Sequence, residues 1–494
     1  MSAVMAATAR FESRRLWPAA VLSLLATAVM LVVSQKATPA LAAPLLAAAS
    51  VAVIAVTARR PSVGCALLVV GAALTSGLGR NTVLPALRTS EALTILVAAG
   101  MVIRQLGKEQ RYTFFDVVVV TYSVGAVMVP AGYLWVTGTS ASVDAWRTIL
   151  APLQFLLIYL IFSRAQLNRP EIGEILQLAM GASVIVAIVA MAQVADVPGV
   201  RSFIETYYSG TGEASQICTS GPCRATSLLE HWSGMGAFAV LHYTLALALC
   251  AYAAINFSGR FLSTVMALNA VGAFISGTQA AIIGLGLATL VIVLHSRRIP
   301  RQLLIMIAPL AFGLLLFWNQ IQLRMEQQFV QAGTGQLLSS PESLDVRQRY
   351  WNEIFVPLLE QHLWFGTGSV VPAEVPQRLV NFVDNEYLGL GFRAGLVGEL
   401  LLAMMLIGVV LVGWRRRRSL DTTQHAVSGA AAAFALVLAV IGTTAEYLTF
   451  AGVAQAFWML VGIMGGWMLA GSPSSDVVLL GSREPKAPRR RPFG

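Results

Sequence analysis

Residues 384–418 read DNEYLGLGFRAGLVGELLLAMMLIGVVLVGWRRRR and contain the elements that decide the fold. A short polar segment is followed by an apolar run over 387–413, which leads into four consecutive arginines. A predominantly apolar run of about 20 residues is long enough to cross a bilayer as a helix. Clusters of arginine beside such a run typically face the cytoplasm. The stretch therefore predicts a transmembrane helix with its basic end inside the cell.

Comparable apolar runs recur along the whole chain of 494 residues. Only 12% of the residues are charged and 56% are hydrophobic, whereas a soluble domain usually has about 25% charged residues. We predict an all-α polytopic membrane protein with about 14 transmembrane helices (12–14). The predicted spans lie near residues 16–34, 39–57, 62–78, 89–104, 114–136, 145–163, 173–195, 231–255, 261–275, 278–295, 301–318, 387–413, 427–447 and 451–470.

The distribution of basic residues predicts the orientation of these spans. If the N-terminus is cytoplasmic, every predicted inner segment carries Lys or Arg, as the positive-inside rule requires. Residues 1–471 are then one transmembrane domain, and 472–494 is a disordered, basic cytoplasmic tail. The two long polar loops, 196–230 and 319–386, both fall on the outer face. The longer loop is predicted to contain short amphipathic helices, with one over 347–362 that begins after a cap at Asp345.

Three arginines of the outer loops are candidate ligands for a phosphate group. Arg224, Arg347 and Arg349 stand on the face where topology does not favour arginine. A guanidinium group stays charged and binds phosphate oxygens bidentately. These residues are therefore candidates for binding the diphosphate of a lipid-linked substrate, whereas composition alone favours the alternative, contact with lipid headgroups.

Asp384 is the candidate general base, because it lies at the mouth of the span that begins at Tyr387. The competing interpretation is a helix cap, since Asp384 or Asn385 before an apolar run is an ordinary N-cap. Glu386 is a second candidate carboxylate. His231 and His362 are further possible bases, but a structural role is favoured for both because bulky apolar residues surround them.

The four cysteines indicate neither a disulfide scaffold nor a metal site. Cys218 and Cys223 share one outer loop, where a local disulfide is plausible if the compartment is oxidising. Two cysteines without a nearby histidine disfavour zinc. No metal or cofactor is predicted, and the basic segments are expected to face lipid rather than nucleic acid.

Four segments resemble the O-antigen polymerase and O-antigen ligase superfamily of bacterial surface-polysaccharide enzymes. They are RATSLLEHW at 224–232, SGTQAA at 276–281, RQRYW at 347–351 with HLWFGTG at 362–368, and DNEYL at 384–388 with GLVG at 395–398. The second segment departs from the family pattern, with Gln279-Ala280 where Ser-Arg is common. In the fourth, Asp384 stands where the ligases carry His.

The resemblance implies a metal-independent membrane glycosyltransferase of the GT-C kind in the bacterial inner membrane. Such an enzyme would move a glycan from undecaprenyl diphosphate to a sugar hydroxyl on the outer face. Arg224 and Arg347 would contact the diphosphate, with Arg349 as an alternative. Asp384 in place of His favours a polymerase of O-antigen or exopolysaccharide over a ligase acting on lipid A-core. A flippase is a further alternative, and a flippase and a chain-length regulator are expected partners.

Overall fold

The computed structural model describes residues 39–79, 87–108, 111–208, 218, 223–254, 257–330, 342–370, 375, 383–415, 421–471 and 478–479. The predicted first span at 16–34 lies outside the described residues. The helices are α1 Pro39–Arg59, α2 Pro61–Thr75, α3 Thr89–Gln105, α4 Phe114–Thr137, α5 Val143–Arg164, α6 Arg169–Val194, α7 Val200–Tyr207, α8 Trp232–Ala251, α9 Gly259–Ile275, α10 Gln279–Ser296, α11 Arg301–Ile305, α12 Ile307–Leu316, α13 Trp318–Phe329, α14 Glu342–Tyr350, α15 Val356–Gln361, α16 Glu386–Arg415, α17 Thr422–Ile441 and α18 Ala451–Gly471.

Short irregular elements join some of these helices. A π-helical turn, Trp351–Phe355, links α14 to α15, and a 3-10 turn, Tyr447–Thr449, precedes α18. Two-residue strands β1, Arg111–Tyr112, and β2, Val478–Leu479, pair in antiparallel fashion. The rest of the predicted tail at 472–494 lies outside the described residues.

Eight helices among the described residues are long and apolar enough to cross a membrane. They are α4, α5, α6, α8, α10, α16, α17 and α18. Three shorter apolar helices, within α1, α2 and α9, occupy further predicted spans. The predominantly helical membrane fold is thus confirmed, whereas the total of about 14 spans stays a prediction.

The predicted eleventh span, 301–318, is broken in the structure. Helices α11 and α12 together meet α13 at an angle of 71°. Residues 318–329 of α13 have a polar composition, with one charged residue of each sign. This bend brings α13 and its polar side chains against the ends of the other helices instead of continuing the span.

Helix α8 lies at the centre of the fold. The apolar window of Trp232–Ala251 is 100% buried inside the protein, and α8 packs against α9, α10 and α17. A helix that is apolar on all sides is expected at the centre of a bundle. The first residues of α8 are therefore fixed in position. The segment that carries Arg224 leads into them, so one of its ends is fixed as well.

Helix α16 is interrupted in its N-terminal third at Gly395, where φ is 60° and ψ is −162°. Across the break, the Leu396 N–H donates to the Leu363 carbonyl at 2.7 Å, and the Thr367 N–H donates to the Phe392 carbonyl at 2.6 Å. A β-carbon on Gly395 would lie 2.3 Å from the backbone carbon of Trp364. The segment around 363–367 therefore supplies the hydrogen bonds that the broken helix lacks.

Helix α14, in the segment predicted as the longer outer loop, begins earlier than the sequence predicted. Helix α14 starts at Glu342, so Asp345 lies within its first turn, and the predicted cap at Asp345 is wrong. The predicted apolar positions pack against the start of α16. Phe355 and Leu358 join Val383 and Phe392 in one small core. This packing fixes the helix that carries Arg347.

Candidate active site

Backbone hydrogen bonds fix the segment that carries Arg224 at one end of the bundle. The Ala225 N–H donates to the Ile275 carbonyl, at the end of α9, at 3.1 Å. From the end of α6, Gln193 Oε1 accepts the Thr226 N–H at 3.0 Å. Arg224 is therefore attached to the ends of α6 and α9. The disulfide that was considered plausible is present, joining Cys218 to Cys223 one residue before Arg224.

The Arg224 guanidinium lies against an aromatic ring and a glycine. Its central carbon is 4.0 Å from the centroid of the Trp232 ring, an arrangement that favours the cationic form. A β-carbon on Gly277 would lie 3.3 Å from Arg224 Cγ, and the φ of Gly277 is +65°. The Arg224 Nε atom is buried without a hydrogen-bond partner within the described part of the chain.

Arg347 and Asp384 form an ion pair between α14 and the start of α16. Arg347 Nε donates to Asp384 Oδ2 at 2.9 Å. One helical turn further on, Trp351 Nε1 donates to the Val383 carbonyl at 2.7 Å. The two bonds hold the outer-loop helix on residues 383–384. The spacing Arg347-x-x-x-Trp351 thus places both donors on the same side of the helix.

The helix cap of α16 is Asn385 rather than Asp384. Asn385 Oδ1 accepts the N–H groups of Tyr387 at 3.0 Å and Leu388 at 3.2 Å. Asp384 instead has a φ of +47°, in the left-handed region that aspartate adopts more readily than most residues. Its carboxylate is bonded to Arg347. Asn385 therefore provides the cap, and the role of Asp384 as a base stays a prediction.

Arg324 of α13 is a further cation at this site that the sequence reasoning did not select. Its Nε atom donates to the Gly277 carbonyl at 3.4 Å, and its Cγ atom would be 3.6 Å from a β-carbon on Gly277. Gly277 therefore has Arg224 and Arg324 as neighbours. The sequence places Arg324 in the predicted outer loop 319–386, but no motif spacing distinguishes it from the other arginines that are predicted to be outside.

The three arginines act on one another electrostatically. Burial, followed by the charges of Arg324 and Arg347, lowers the pKa of Arg224 well below its usual value, whereas Asp384 and Tyr447 act in the opposite direction. We call Arg224, Arg324, Arg347 and Asp384 the arginine cluster. Three guanidinium groups around one carboxylate leave two positive charges in a partly buried region. Such a region favours a bound anion.

His231 has a structural environment beside the arginine cluster. Its Nδ1 atom accepts the Ser233 N–H at 3.1 Å, which caps α8. Burial, followed by the charges of Arg224 and Arg347, lowers the pKa of His231 to about 3. The imidazole is therefore neutral at pH 7, and the ring stacks on Phe450. His362 packs edge-on against Tyr133.

The remaining predicted site residues lie apart from the arginine cluster. Arg349 is exposed on α14 and is not among the charges that act on Arg224. Glu386 is buried, and its Oε2 atom accepts the Leu448 N–H at 2.9 Å. Gln279, at the departure from the family pattern, has a buried amide nitrogen without a partner in the described ranges.

A comparison with protein families finds a match that includes part of this region. Residues 264–403 match the family model described as Wzy_C, O-antigen ligase. The match runs from α9 past the break in α16 and includes Arg324, Arg347 and Asp384, whereas Arg224 precedes it. No curated protein matches the chain. Its membrane helices identify an integral membrane protein, and the match over residues 264–403 supports a relation to the O-antigen ligase and polymerase superfamily.

Proposed function

We propose that this protein polymerises undecaprenyl-diphosphate-linked oligosaccharide repeat units into O-antigen or exopolysaccharide. The reaction would take place on the outer face of the bacterial inner membrane. The observation that supports this proposal is the arginine cluster, which combines excess positive charge with one carboxylate. Lipid-linked sugar diphosphates require both features, namely cations for the leaving group and a base for the acceptor.

The arginines would bind the diphosphate of the donor. Arg347 uses its Nε atom for Asp384, so its two terminal nitrogens are available to phosphate oxygens. Arg224 has a buried Nε atom that needs an acceptor, and Arg324 adds a third cation through its position at Gly277. Charge-assisted hydrogen bonds of this kind contribute about 1.5–3 kcal/mol each. They would strengthen as the diphosphate leaves and gains charge.

Asp384 would act as the general base. The acceptor hydroxyl oxygen attacks the anomeric carbon of the donor, the bond from that carbon to the diphosphate oxygen breaks, and Asp384 takes the hydroxyl proton. The ion pair with Arg347 would hold the carboxylate beside the diphosphate. Since Asn385 caps α16, the carboxylate of Asp384 is not needed for that purpose.

An O-antigen ligase is the second candidate, because the matching family model carries that description. A ligase would transfer the glycan once, to a lipid A-core acceptor, and would use the same cations. The aspartate at 384 favours polymerisation, since the family's ligases carry the stronger base histidine there. A flippase has less support, because it would be expected to line a central cavity with charged residues along many spans, whereas the candidate site residues lie in the two long polar loops.

The test is a product assay with the purified full-length protein in proteoliposomes. Lipid-linked repeat units should yield a ladder of longer glycans, and Arg347→Lys should abolish most of it because the bidentate fork is lost. Arg349→Lys, two residues away and exposed, is the matched control and should retain the ladder. A single product on added lipid A-core would establish the ligase instead. Translocation of the substrate without elongation would establish transport.

A further inference from the structure

A second cationic site lies at the other end of the bundle. A cavity with a volume of about 440 Å³ is formed where α3, α5 and α18 end and α6 begins. Helix α6 starts beside this cavity and ends with Gln193 next to the Arg224 segment. At 26 residues, α6 is about 39 Å long, so the cavity and the arginine cluster are at opposite ends of the protein.

The lining of the cavity combines cationic and apolar side chains. Its cationic side chains are Arg104, Lys108, Arg111 and Arg164, and its apolar ones include Phe162, Leu167, Ile172, Ile463 and Trp467. No aspartate or glutamate is among the lining residues that the structure describes. A ligand that fits this lining has an anionic head and an apolar body.

Three of the four cationic side chains have no anionic side chain paired with them among the described residues. Arg164 is neutralised by Asp116, with 2.8 Å between Nη2 and Oδ1. Arg104, Lys108 and Arg111 form no ion pair with any residue in the described ranges. The helix dipole accounts for Arg104, which lies in the last turn of α3. It does not account for Lys108 and Arg111, which follow the end of that helix.

The location of the cavity points to the membrane as the source of its ligand. Its walls come from α5, α6 and α18, which are long and apolar enough to cross a bilayer. The predicted orientation puts this end at the cytoplasmic leaflet, where the anionic lipids attract basic segments. A soluble phosphate compound would make no use of Phe162, Ile463 and Trp467.

We infer that this cavity binds an anionic phospholipid of the cytoplasmic leaflet. Its phosphate would lie against Arg104, Lys108 and Arg111, and part of an acyl chain against Phe162 and Trp467. The site would hold a fixed lipid between α3, α5 and α18. It would be independent of the glycan-transfer reaction, because it is at the opposite end of the molecule.

The test measures lipid retention by native mass spectrometry on the purified full-length protein. Phosphatidylglycerol is titrated against phosphatidylcholine with wild type and with the triple variant Arg104→Gln, Lys108→Gln, Arg111→Gln. The matched control neutralises three exposed cations outside the cavity, namely Arg59→Gln, Arg60→Gln, Arg260→Gln. We expect the cavity variant to bind phosphatidylglycerol at least about tenfold more weakly, and the control to bind like wild type.

Two further arms keep the inference falsifiable. The variant Arg104→Lys, Arg111→Lys preserves the charge and should retain most of the phosphatidylglycerol binding, which shows that a loss in the Gln variant is not misfolding. Inorganic phosphate and glycerophosphoglycerol should not displace the lipid. Equal losses in the cavity and control variants, no preference over phosphatidylcholine in wild type, or displacement by the soluble phosphates would each overturn the inference.

Discussion

Two ion pairs in this protein each join an arginine to an aspartate at nearly the same distance, yet their surroundings differ. The Arg164–Asp116 pair measures 2.8 Å and the Arg347–Asp384 pair 2.9 Å. The Asp116 side chain is 1% exposed, whereas the Asp384 side chain is 29% exposed. Asp116 also accepts hydrogen bonds from Tyr159 and from the residue that caps α4. Asp384 has one arginine bonded to it and two more nearby.

The difference is one of charge balance and access. At Asp116, the charge of one arginine is balanced by one carboxylate, and both carboxylate oxygens accept hydrogen bonds within the protein. The pair therefore has no excess charge with which to bind a ligand. At Asp384, one arginine is bonded to the carboxylate, two further arginines belong to the same cluster, and the Asp384 side chain is partly exposed. An arginine–carboxylate pair is therefore evidence for a binding site only when the charges around it do not cancel.

The largest expected effect is that of Asp384→Asn on turnover. The amide oxygen can still accept the Arg347 Nε–H, so the geometry is kept, but the side chain no longer takes a proton. We expect the rate of glycan transfer to fall by about 10²–10⁴-fold, as measured by product formation at saturating donor. Asn385→Ala is the control: it removes the helix cap, which lowers the stability by about 1 kcal/mol, and should retain turnover. Full activity of Asp384→Asn would contradict the assignment of the base.

Asp116→Ala should act on stability instead of on chemistry. It leaves the buried guanidinium of Arg164 unpaired, which should lower the free energy of unfolding by about 3–5 kcal/mol. Thermal unfolding in detergent measures the loss. The activity per folded molecule should be unchanged, because the pair lies far from the arginine cluster. A large loss of turnover in the folded fraction would remove the contrast between the two pairs.

Arg324→Gln tests whether the third arginine belongs to the binding site. Glutamine can keep a polar contact with the Gly277 carbonyl but carries no charge. We expect the affinity for the lipid diphosphate to fall by about 1.5–3 kcal/mol, seen as a higher KM with a smaller change in kcat. The neighbouring substitution Gln327→Ala removes a bond to Arg324 and should have a weaker effect. An unchanged KM in Arg324→Gln would limit the site to Arg224 and Arg347.

The smallest effect is a pH dependence of stability from His231. Its pKa is about 3 in the folded protein, below the usual 6.5. Between these values the unfolded chain binds more protons, so stability should decrease as the pH falls, by about 2 kcal/mol between pH 6.5 and pH 5. His231→Asn keeps a capping side chain but does not titrate. Unfolding temperatures across this range should therefore vary less in the variant, and an identical pH dependence in both proteins would argue against the assignment.

Hydropathy was sufficient to predict the membrane-spanning helices among the described residues. The predicted apolar runs include all eight described helices that are long and apolar enough to cross a membrane, because a membrane span is specified by its own composition. Arg347 was selected for its place in the predicted outer loop and Asp384 for its place before a span, and the structure joins the two in an ion pair. The plausible disulfide between Cys218 and Cys223 is also present.

The remaining features depend on contacts between distant parts of the chain. Arg324 meets Arg224 only because both pack against Gly277, and no local pattern encodes that meeting. The break in α16 at Gly395 depends on hydrogen bonds with the segment near Thr367. A hydropathy profile shows α16 only as an unbroken apolar run. The assignment of the helix cap to Asn385 instead of Asp384 required the direction of each side chain, which the sequence does not specify.

The central claim is that the arginine cluster binds the diphosphate of the lipid-linked donor. The most direct measurement is the affinity of the purified full-length protein for undecaprenyl diphosphate, compared between Arg347→Gln and Arg349→Gln. These residues are two positions apart on α14, but only Arg347 belongs to the cluster. We predict that Arg347→Gln binds at least about tenfold more weakly and that Arg349→Gln binds like wild type. Unchanged binding in Arg347→Gln, or an equal loss in both variants, would contradict the account.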